Sequence, residues 1–232
     1  MSWPSSPLPN ELADAAARLA RLPLVTHEID IAGRDWQIQA VADQSSLTAV
    51  ADEFRHFPFG LLLWDAAPVL AGALAARGTS LAGTSVLELG AGVGLVGLVS
   101  RACGAQVRQT DHGLEALALC QANARRNGLD GIEWALADWT DWREPERFDL
   151  IVGSDILYEP ELHAPVLAIL AGNLASGGRV LLSDPGRTTT PRFLAALEAA
   201  GWQIARRRRR VPALSPVRPG ETLVVTLIEA WR

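Results

Sequence analysis

The chain has 232 residues, of which 49% are hydrophobic, with a formal net charge of −5 and a mean hydropathy of +0.14. This length predicts one α/β domain with a substantial core. No run reaches the roughly 18 apolar residues that span a bilayer, so no membrane partner is expected. The first residues lack the basic start and apolar centre of a secretory signal. The negative charge argues against a nucleic acid held by general electrostatics, although a local patch could still act.

The amounts of cysteine and lysine are both informative. Only Cys103 and Cys120 are present, each in a predicted helix, so the sequence predicts no disulfide framework and a reducing, cytoplasmic compartment. All 21 basic residues are arginine. A GC-rich coding bias explains this simply, and an enzyme that modifies lysine would also gain from lacking sites for self-modification. The four histidines show no metal-ligand spacing, so no metal is predicted.

Residues 1–60 are predicted to form an extension that packs on the core. It starts with a Pro- and Ser-rich segment over 1–9, which is expected to be mobile. The next elements alternate in the patterns of a helix and of a β-hairpin around Ala32-Gly33-Arg34. In chain order they are a helix over 11–21, strands over 24–31 and 35–41, a short helix over 44–54, and a loop over 57–60.

Residues 61–232 are predicted to form the main body of the domain. A helix is expected over 61–76, and strands then alternate with helices from Ser85 onward, which implies right-handed crossovers and a parallel sheet. The predicted strands cover 85–89, 105–110, 131–136, 148–153, 178–183, 202–211 and 222–230. The predicted helices between them cover 94–103, 113–127, 160–175 and 190–200. Because no helix separates the last two strands, they should pair as an antiparallel hairpin. The fold class is therefore a Rossmann-like, seven-stranded α/β sheet with helices on both faces.

The stretch from Val86 to Gly97 is the most informative part of the chain. A short apolar strand runs into Gly90, Gly92 and Gly94, and a helix-compatible segment follows at once. Glycines are needed where a strand turns sharply into a helix and the backbone approaches a ligand. The stretch also satisfies the weak dinucleotide pattern G-x-G-x-x-G. Glu88 favours a different ligand, because a carboxylate would repel a pyrophosphate and suit the sulfonium and ammonium of S-adenosyl-L-methionine.

Acidic and aromatic residues follow the next two predicted strands, where a doubly wound sheet places its ligand. Asp111 can accept hydrogen bonds from both ribose hydroxyls, or it can cap the helix that follows. Trp139 can supply a flat apolar wall for adenine, and Asp138 a polar group for the edge of that ring. The alternative for Trp139 is a packing role, since the chain has eight tryptophans.

The fourth strand of the alternating region ends in a group suited to the reacting methyl. Gly153 and Ser154 are small enough for close approach of a donor. Asp155 and Tyr158 are three residues apart and would share one face of a helical turn. There the carboxylate would orient an amine, and the phenol would act as wall and hydrogen-bond partner. The alternative is a helix cap at Asp155 with a packed tyrosine.

These motifs together resemble the class I S-adenosylmethionine-dependent methyltransferases. Within that class the chain is similar to methyltransferase family 16, whose seven-β-strand enzymes include protein-lysine methyltransferases and carry a D-x-x-Y motif after the fourth strand. The resemblance implies a donor contact at Trp64, which precedes the first strand of the sheet. It also implies donor contacts at Gly90, Ala91, Gly92, Trp139 and Ser154. The resemblance covers about residues 55–185, and residues 61–232 are expected to form the domain that binds the donor.

The resemblance implies transfer of a methyl group to a protein lysine by in-line displacement, with S-adenosyl-L-homocysteine as the product. Asp155 and Tyr158 are the predicted catalytic residues. Two alternatives stay open: a methyltransferase for a small-molecule amine or hydroxyl, and a non-catalytic module that binds the donor or a partner. Neither the acceptor nor the oligomeric state follows from the sequence.

The run Arg206–Arg210 lies in a predicted strand, where alternate side chains point to opposite faces. A solvated edge that blocks strand-to-strand association is the simpler interpretation. Attraction of an acidic protein or of a nucleic acid is the alternative.

Overall fold

The computed structural model describes residues 9–54, 57–214 and 220–232, so most of the start predicted to be mobile lies outside it. The helices and strands alternate as expected from Ser85 onward. The helices are α1 Pro9–Leu19, α2 Gln44–Thr48, α3 Ala66–Ala75, α4 Leu95–Ala102, α5 Leu114–Arg126, α6 His163–Asn173 and α7 Thr190–Ala199. The strands are β1 Leu24–Ile31, β2 Arg34–Val41, β3 Ser85–Leu89, β4 Gln106–Asp111, β5 Ile132–Leu136, β6 Phe148–Ser154, β7 Leu174–Asp184, β8 Gln203–Pro212 and β9 Thr222–Trp231.

Seven strands form one sheet in the order β5-β4-β3-β6-β7-β9-β8. The strands from β3 to β7 pair in parallel, whereas β9 runs antiparallel to both β7 and β8. The predicted seven-stranded sheet and its C-terminal hairpin are confirmed. The parallel order reverses beside β3, and a doubly wound sheet binds its ligand at such a switch point, beyond the carboxyl ends of the strands.

Two cores cover the two faces of the sheet, and strict alternation along the strands assigns side chains to them. Val86 faces the core that contains α3, α4 and α5, while Leu87 faces the core that contains α6 and α7. In β9, Leu227 faces the first of these cores and Ile228 faces the second. Both faces are therefore apolar and covered by helices, as a parallel sheet requires.

The N-terminal extension joins the first of these cores. Ala15 and Leu19 of α1 and Trp36 and Ile38 of the β1–β2 hairpin are buried in it. Asn123 of α5 fixes the hairpin to the helix through two hydrogen bonds to Gln39 of β2. Its side chain accepts from the backbone N–H of Gln39 at 2.8 Å and donates to the carbonyl of the same residue at 2.9 Å. Both cysteines are free thiols. None of the described helices has the length and apolar character needed to cross a membrane.

Two predicted helices differ most in length from the helices of the structure. The helix expected over 61–76 begins only at Ala66. A 3-10 turn covers Phe59–Leu61, and the indole Nε1 of Trp64 donates to the carbonyl of Phe59 at 3.0 Å, which keeps this segment separate from the helix. The helix expected over 44–54 ends at Thr48, and a separate 3-10 turn covers Ala51–Glu53. The first change matters for the site, since it leaves Trp64 outside the helix.

Candidate active site

A cleft of about 410 Å³ opens at the carboxyl ends of β3, β4, β5 and β6, and the segment that precedes α3 closes its other side. Most of the predicted site residues line it: Trp64, Gly90, Gly92, Asp111, Asp138, Trp139, Ser154, Asp155 and Tyr158. Three predicted site residues are not among the lining: Glu88, Ala91 and Gly94. Its volume falls in the ordinary range for a small-molecule site.

The glycine loop has the backbone that its sequence predicts. Gly90, Gly92 and Gly94 all have positive φ, at 64°, 54° and 88°. A Cβ on Gly92 would lie 3.1 Å from the carbonyl oxygen of Gly60, whereas one on Gly94 would lie 3.0 Å from the Cys120 thiol. Gly92 therefore lets the loop approach the cleft wall, while Gly94 lets α4 begin close against α5.

The interpretation of Glu88 requires a correction. Its side chain is 1% exposed and points under α4, where Oε2 would lie 2.6 Å from a Cβ added to Gly97. Gln109 donates to that oxygen at 2.7 Å, and the Gly97 backbone also donates to the carboxyl. Burial raises the pKa of Glu88 to about 8. The expectation that Glu88 meets the ligand is wrong in this geometry, because its carboxyl is an internal part of the α4 packing.

The charge argument first attached to Glu88 applies instead to the lining of the cleft. Four acidic residues line it: Asp111, Asp138, Asp155 and Glu159. No arginine is among the lining residues within the described ranges. Such a surface disfavours a pyrophosphate and suits a ligand with positive charge.

Asp111 links the end of β4 to the glycine loop. One carboxylate oxygen accepts from the backbone N–H of Gly92 at 3.0 Å, and the other accepts from Gly113 at 2.9 Å. The next helix begins at Leu114 without a side-chain cap, so Asp111 does not act as the cap of that helix. Each oxygen keeps a second lone pair that can accept from a hydroxyl on the cleft side.

Asp138 and Trp139 follow β5 and form the adjoining wall. The Asp138 carboxylate accepts from the backbone N–H and hydroxyl of Thr140 at 2.8 and 2.7 Å, which fixes the 3-10 turn Trp139–Asp141. The Trp139 ring then lies against the glycine loop, where a Cβ on Gly90 would be 3.4 Å from its Cζ2. The cleft therefore has a flat apolar wall beside a carboxylate-bearing edge.

Asp155 sits in a conformation that the sequence analysis missed. The expected helical turn over Asp155 and Tyr158 is wrong, because Asp155 has φ +54° and no helix covers this segment. The Asp155 N–H donates to the carbonyl of Ser183 at 2.8 Å, which holds this strained backbone. Since no helix follows directly, the alternative role of Asp155 as a helix cap is also excluded.

Arg187 pairs with Asp155 at the acceptor end of the cleft, although Arg187 itself is not among the lining residues. Its Nε and Nη2 bond the two carboxylate oxygens of Asp155 at 2.8 and 2.6 Å, and the Asp155 side chain is only 4% exposed. The guanidinium also lies 5.5 Å from the Trp64 ring and 6.0 Å from the Tyr158 ring. The Arg187–Asp155 pair is thus a carboxylate-held cation flanked by two aromatic rings, which is the geometry that stabilises a cation beside π faces.

Two pKa shifts at this end restrict the chemistry. Burial raises the pKa of Asp155, and the bonds from Arg187 oppose that shift. Burial also raises the pKa of Tyr158 to about 12. The phenol therefore stays neutral near neutral pH, so it can form a wall or a hydrogen bond but cannot serve as a base.

Asp184 anchors the loop that carries Arg187. One of its carboxylate oxygens accepts from the backbone N–H of Gly186 at 2.8 Å and of Arg187 at 3.1 Å, and the other accepts from the Thr190 hydroxyl at 2.6 Å. Thr189 bonds the carbonyl of Leu157 on the facing segment. The one signal in the sequence for Arg187 was its position just past the end of a core strand, where residues from neighbouring strands meet.

The comparisons with known proteins identify the family of the chain. The profile of the lysine methyltransferase family matches residues 42–199, and the chain belongs to that family. The chain is 35% identical over 140 residues to the mouse protein N-lysine methyltransferase METTL21A, an alignment that covers 57% of this chain and 63% of that protein. It is 35% identical over 119 residues to the mouse histone-arginine methyltransferase METTL23, covering 49% of this chain and 47% of that one. The chain therefore aligns with less than two thirds of each of these curated relatives.

Among solved structures, the fold is similar to that of magnesium protoporphyrin IX methyltransferase from Synechocystis, solved with bound SAM. The TM-score is 0.57 at 20% sequence identity, over 72% of this chain and 77% of that one. This likeness confirms the Rossmann-like methyltransferase fold.

Proposed function

We propose that the protein transfers a methyl group from S-adenosyl-L-methionine to the side-chain amine of a lysine in another protein. The observation that carries the proposal is the lining of the cleft, which combines aromatic rings with carboxylates. The rings belong to Phe57, Phe59, Trp64, Trp139 and Tyr158, and the carboxylates to Asp111, Asp138, Asp155 and Glu159. Such a cleft suits a cationic donor and an acceptor that is cationic in water.

The lining fits the donor part by part. Trp139 offers a face for adenine, Asp111 offers two acceptors for the ribose hydroxyls, and Gly90 and Gly92 open the backbone beside them. The lining carboxylates favour the donor's ammonium and sulfonium over a phosphate. When bound, the donor supplies a methyl group on a positively charged sulfur and leaves as S-adenosyl-L-homocysteine.

The residues at the acceptor end would align the nucleophile and keep water away. A lysine amine has an ordinary pKa of about 10.4 and must lose a proton before it attacks. The part-buried wall of Trp64 and Tyr158 favours the neutral amine by desolvation. Asp155 can orient an amine N–H through lone pairs that Arg187 leaves free, since a carboxylate offers about four acceptor positions.

Transfer of a labelled methyl group tests this proposal. The protein is incubated with tritiated donor and a lysate, and the labelled proteins are hydrolysed to amino acids. We expect label in methyl-lysine. Because this chain contains no lysine, none of that label can come from the enzyme itself. Label confined to small molecules, or no binding of S-adenosyl-L-methionine by calorimetry, would exclude the proposal.

An arginine acceptor is the second candidate, and one observation favours it. Asp155 already holds a guanidinium side-on, between Trp64 and Tyr158. A substrate arginine could adopt the same geometry if Arg187 moved aside. The same hydrolysis distinguishes the two candidates, because methyl-arginine and methyl-lysine separate on chromatography.

A further inference from the structure

We infer that the arginine stripe, Arg206–Arg210 on β8, is the docking surface for an acidic segment of the methyl-accepting protein. This inference rests on the proposed function and adds a substrate class to it. The stripe lies outside the cleft and takes no part in the site described above.

The stripe is the longest run of like charges in the sequence. All five side chains are exposed, and none forms an ion pair or hydrogen bond within the described ranges. Without these five arginines the formal net charge of −5 would be −10. Five like charges in consecutive positions repel one another, so an anion placed among them gains from all of them.

The strand that carries the stripe is the last of the sheet, and its outer edge pairs with no strand of the described chain. Arg207 and Arg209 lie opposite Leu227 and Val225 on the face covered by α3. Arg206, Arg208 and Arg210 point to the other face. An extended segment along this open edge would be within reach of arginines from both faces.

The register of the sheet places the stripe level with the acceptor end of the cleft. Ser154 pairs with Ser183, Ser183 with Leu227, and Leu227 with Arg207. Arg208 to Arg210 therefore continue beyond the level of Ser154 at the same edge. The chain after β8 then returns to the cleft rim, where the Leu214 N–H donates to Asp65 at 2.6 Å, next to Trp64.

This register also sets a distance along the substrate. Three strand spacings separate Ser154 from Arg207, or about 14 Å at roughly 4.8 Å each. A segment that leaves the stripe and crosses the ends of these strands advances about 3.3 Å per residue when extended. About four residues would therefore separate the target lysine from the acids on the stripe.

An acidic protein segment fits the charge distribution better than a nucleic acid does. The stripe is short, and the cleft that lies three strands away is lined by four carboxylates. A polyphosphate chain long enough to reach the cleft would meet those carboxylates. A segment with acids at one end and a lysine at the other matches both surfaces.

Synthetic peptides test the inference. Each contains one lysine with three aspartates centred four residues away, and a matched peptide has asparagines instead. The stripe variant is Arg207→Gln/Arg208→Gln/Arg209→Gln. The control variant, Arg125→Gln/Arg126→Gln/Arg192→Gln, removes the same charge from exposed positions on α5 and α7. Peptide binding is followed by fluorescence anisotropy, and methyl transfer by tritium.

We expect the wild type and the control variant to bind the acidic peptide about tenfold more tightly at low salt, with the preference lost near 0.5 M salt. The stripe variant should lose that preference and keep its donor affinity and its activity on the asparagine peptide. Equal binding of the two peptides, or a preference that survives in the stripe variant, would overturn the inference. Tighter stripe-dependent binding of a single-stranded RNA oligomer would overturn it in favour of a nucleic acid.

The donor titration separates this test from that of the proposed function. If the wild type methylates neither peptide and does not bind S-adenosyl-L-methionine, the methyltransferase proposal is wrong. Normal transfer to lysine without any effect of the aspartates would speak against the docking surface alone.

Discussion

Glu88 and Asp155 are two buried carboxyl groups whose hydrogen-bond partners differ in charge. Glu88 is 1% exposed and receives only amide donors, from Gln109 and Gly97, so burial dominates and raises its pKa to about 8. Asp155 is 6% exposed and receives a two-point bond from the Arg187 guanidinium. Burial raises the pKa of both carboxyl groups, but only at Asp155 does a charged partner, the Arg187 guanidinium, oppose that shift.

The positions of the two carboxyl groups agree with this difference in their partners. Glu88 lies on the same face of β3 as Val86, under α4, where a neutral group fits the packing. Asp155 lies past the end of β6 and lines the cleft. We propose that Glu88 supports the glycine loop and that Asp155 orients the acceptor. Three substitutions test these two roles, and a fourth tests the donor wall.

The largest effect is expected for Asp155→Asn. The substitution keeps the shape and removes the charge that orients the acceptor, so kcat/KM should fall by about a thousandfold. Donor affinity, measured by calorimetry, should stay within about threefold, since Asp155 lies at the acceptor end. Full transfer activity in the Asp155→Asn variant would refute the assignment of Asp155 as a catalytic residue.

Arg187→Ala should have the next largest effect, because it leaves a buried carboxylate without its cation. Allowing for the partial exposure of Arg187, we expect the free energy of unfolding to fall by about 2 kcal/mol and activity by about a hundredfold. Arg187→Lys should lose less of both. In a double-mutant cycle, Asp155→Asn/Arg187→Ala should unfold less readily than Arg187→Ala alone; simple additivity would show that the pair is not coupled.

Glu88→Gln should change the pH dependence of stability. Because the folded-state pKa is raised from 4.5 to about 8, the folded protein binds more protons than the unfolded chain within that window. The wild type should therefore lose stability as pH rises from 4.5 to about 8, by about 2 kcal/mol between pH 6 and pH 8 relative to the variant. Denaturant unfolding at both pH values measures this difference, and parallel curves for the two proteins would contradict a buried, neutral Glu88.

The smallest effect concerns the donor wall. Trp139→Ala should weaken binding of S-adenosyl-L-methionine by about tenfold through loss of stacking, whereas Trp139→Phe should retain most of the affinity. Calorimetry with both variants measures this. If the alanine variant binds the donor as tightly as the wild type, adenine lies elsewhere in the cleft.

Local sequence predicted the donor half of the site better than the acceptor half. Gly90, Gly92 and Asp111 follow from a strand, a turn and a spacing that lie close together in the chain. Arg187 lies 32 residues from Asp155, and no local pattern joins them. The positive φ of Asp155 depends on Ser183 of the neighbouring strand, so a helical turn was the wrong expectation.

The position of Glu88 could have been found from alternation along β3, which places it with Val86 under a helix. The expectation of a cationic donor was first argued from Glu88, and the acids after β4, β5 and β6, which line the cleft, now support it instead. The division at residue 60 and the cytoplasmic location stay predictions.

One measurement tests the contrast between the two carboxyls most directly. Initial rates of tritium transfer into lysate lysine are compared for the wild type, Asp155→Asn and Glu88→Gln at saturating donor and pH 7. The account predicts that Glu88→Gln transfers within about threefold of the wild type, while Asp155→Asn falls by about a thousandfold. Equal losses in the two variants, or a larger loss for Glu88→Gln, would contradict it.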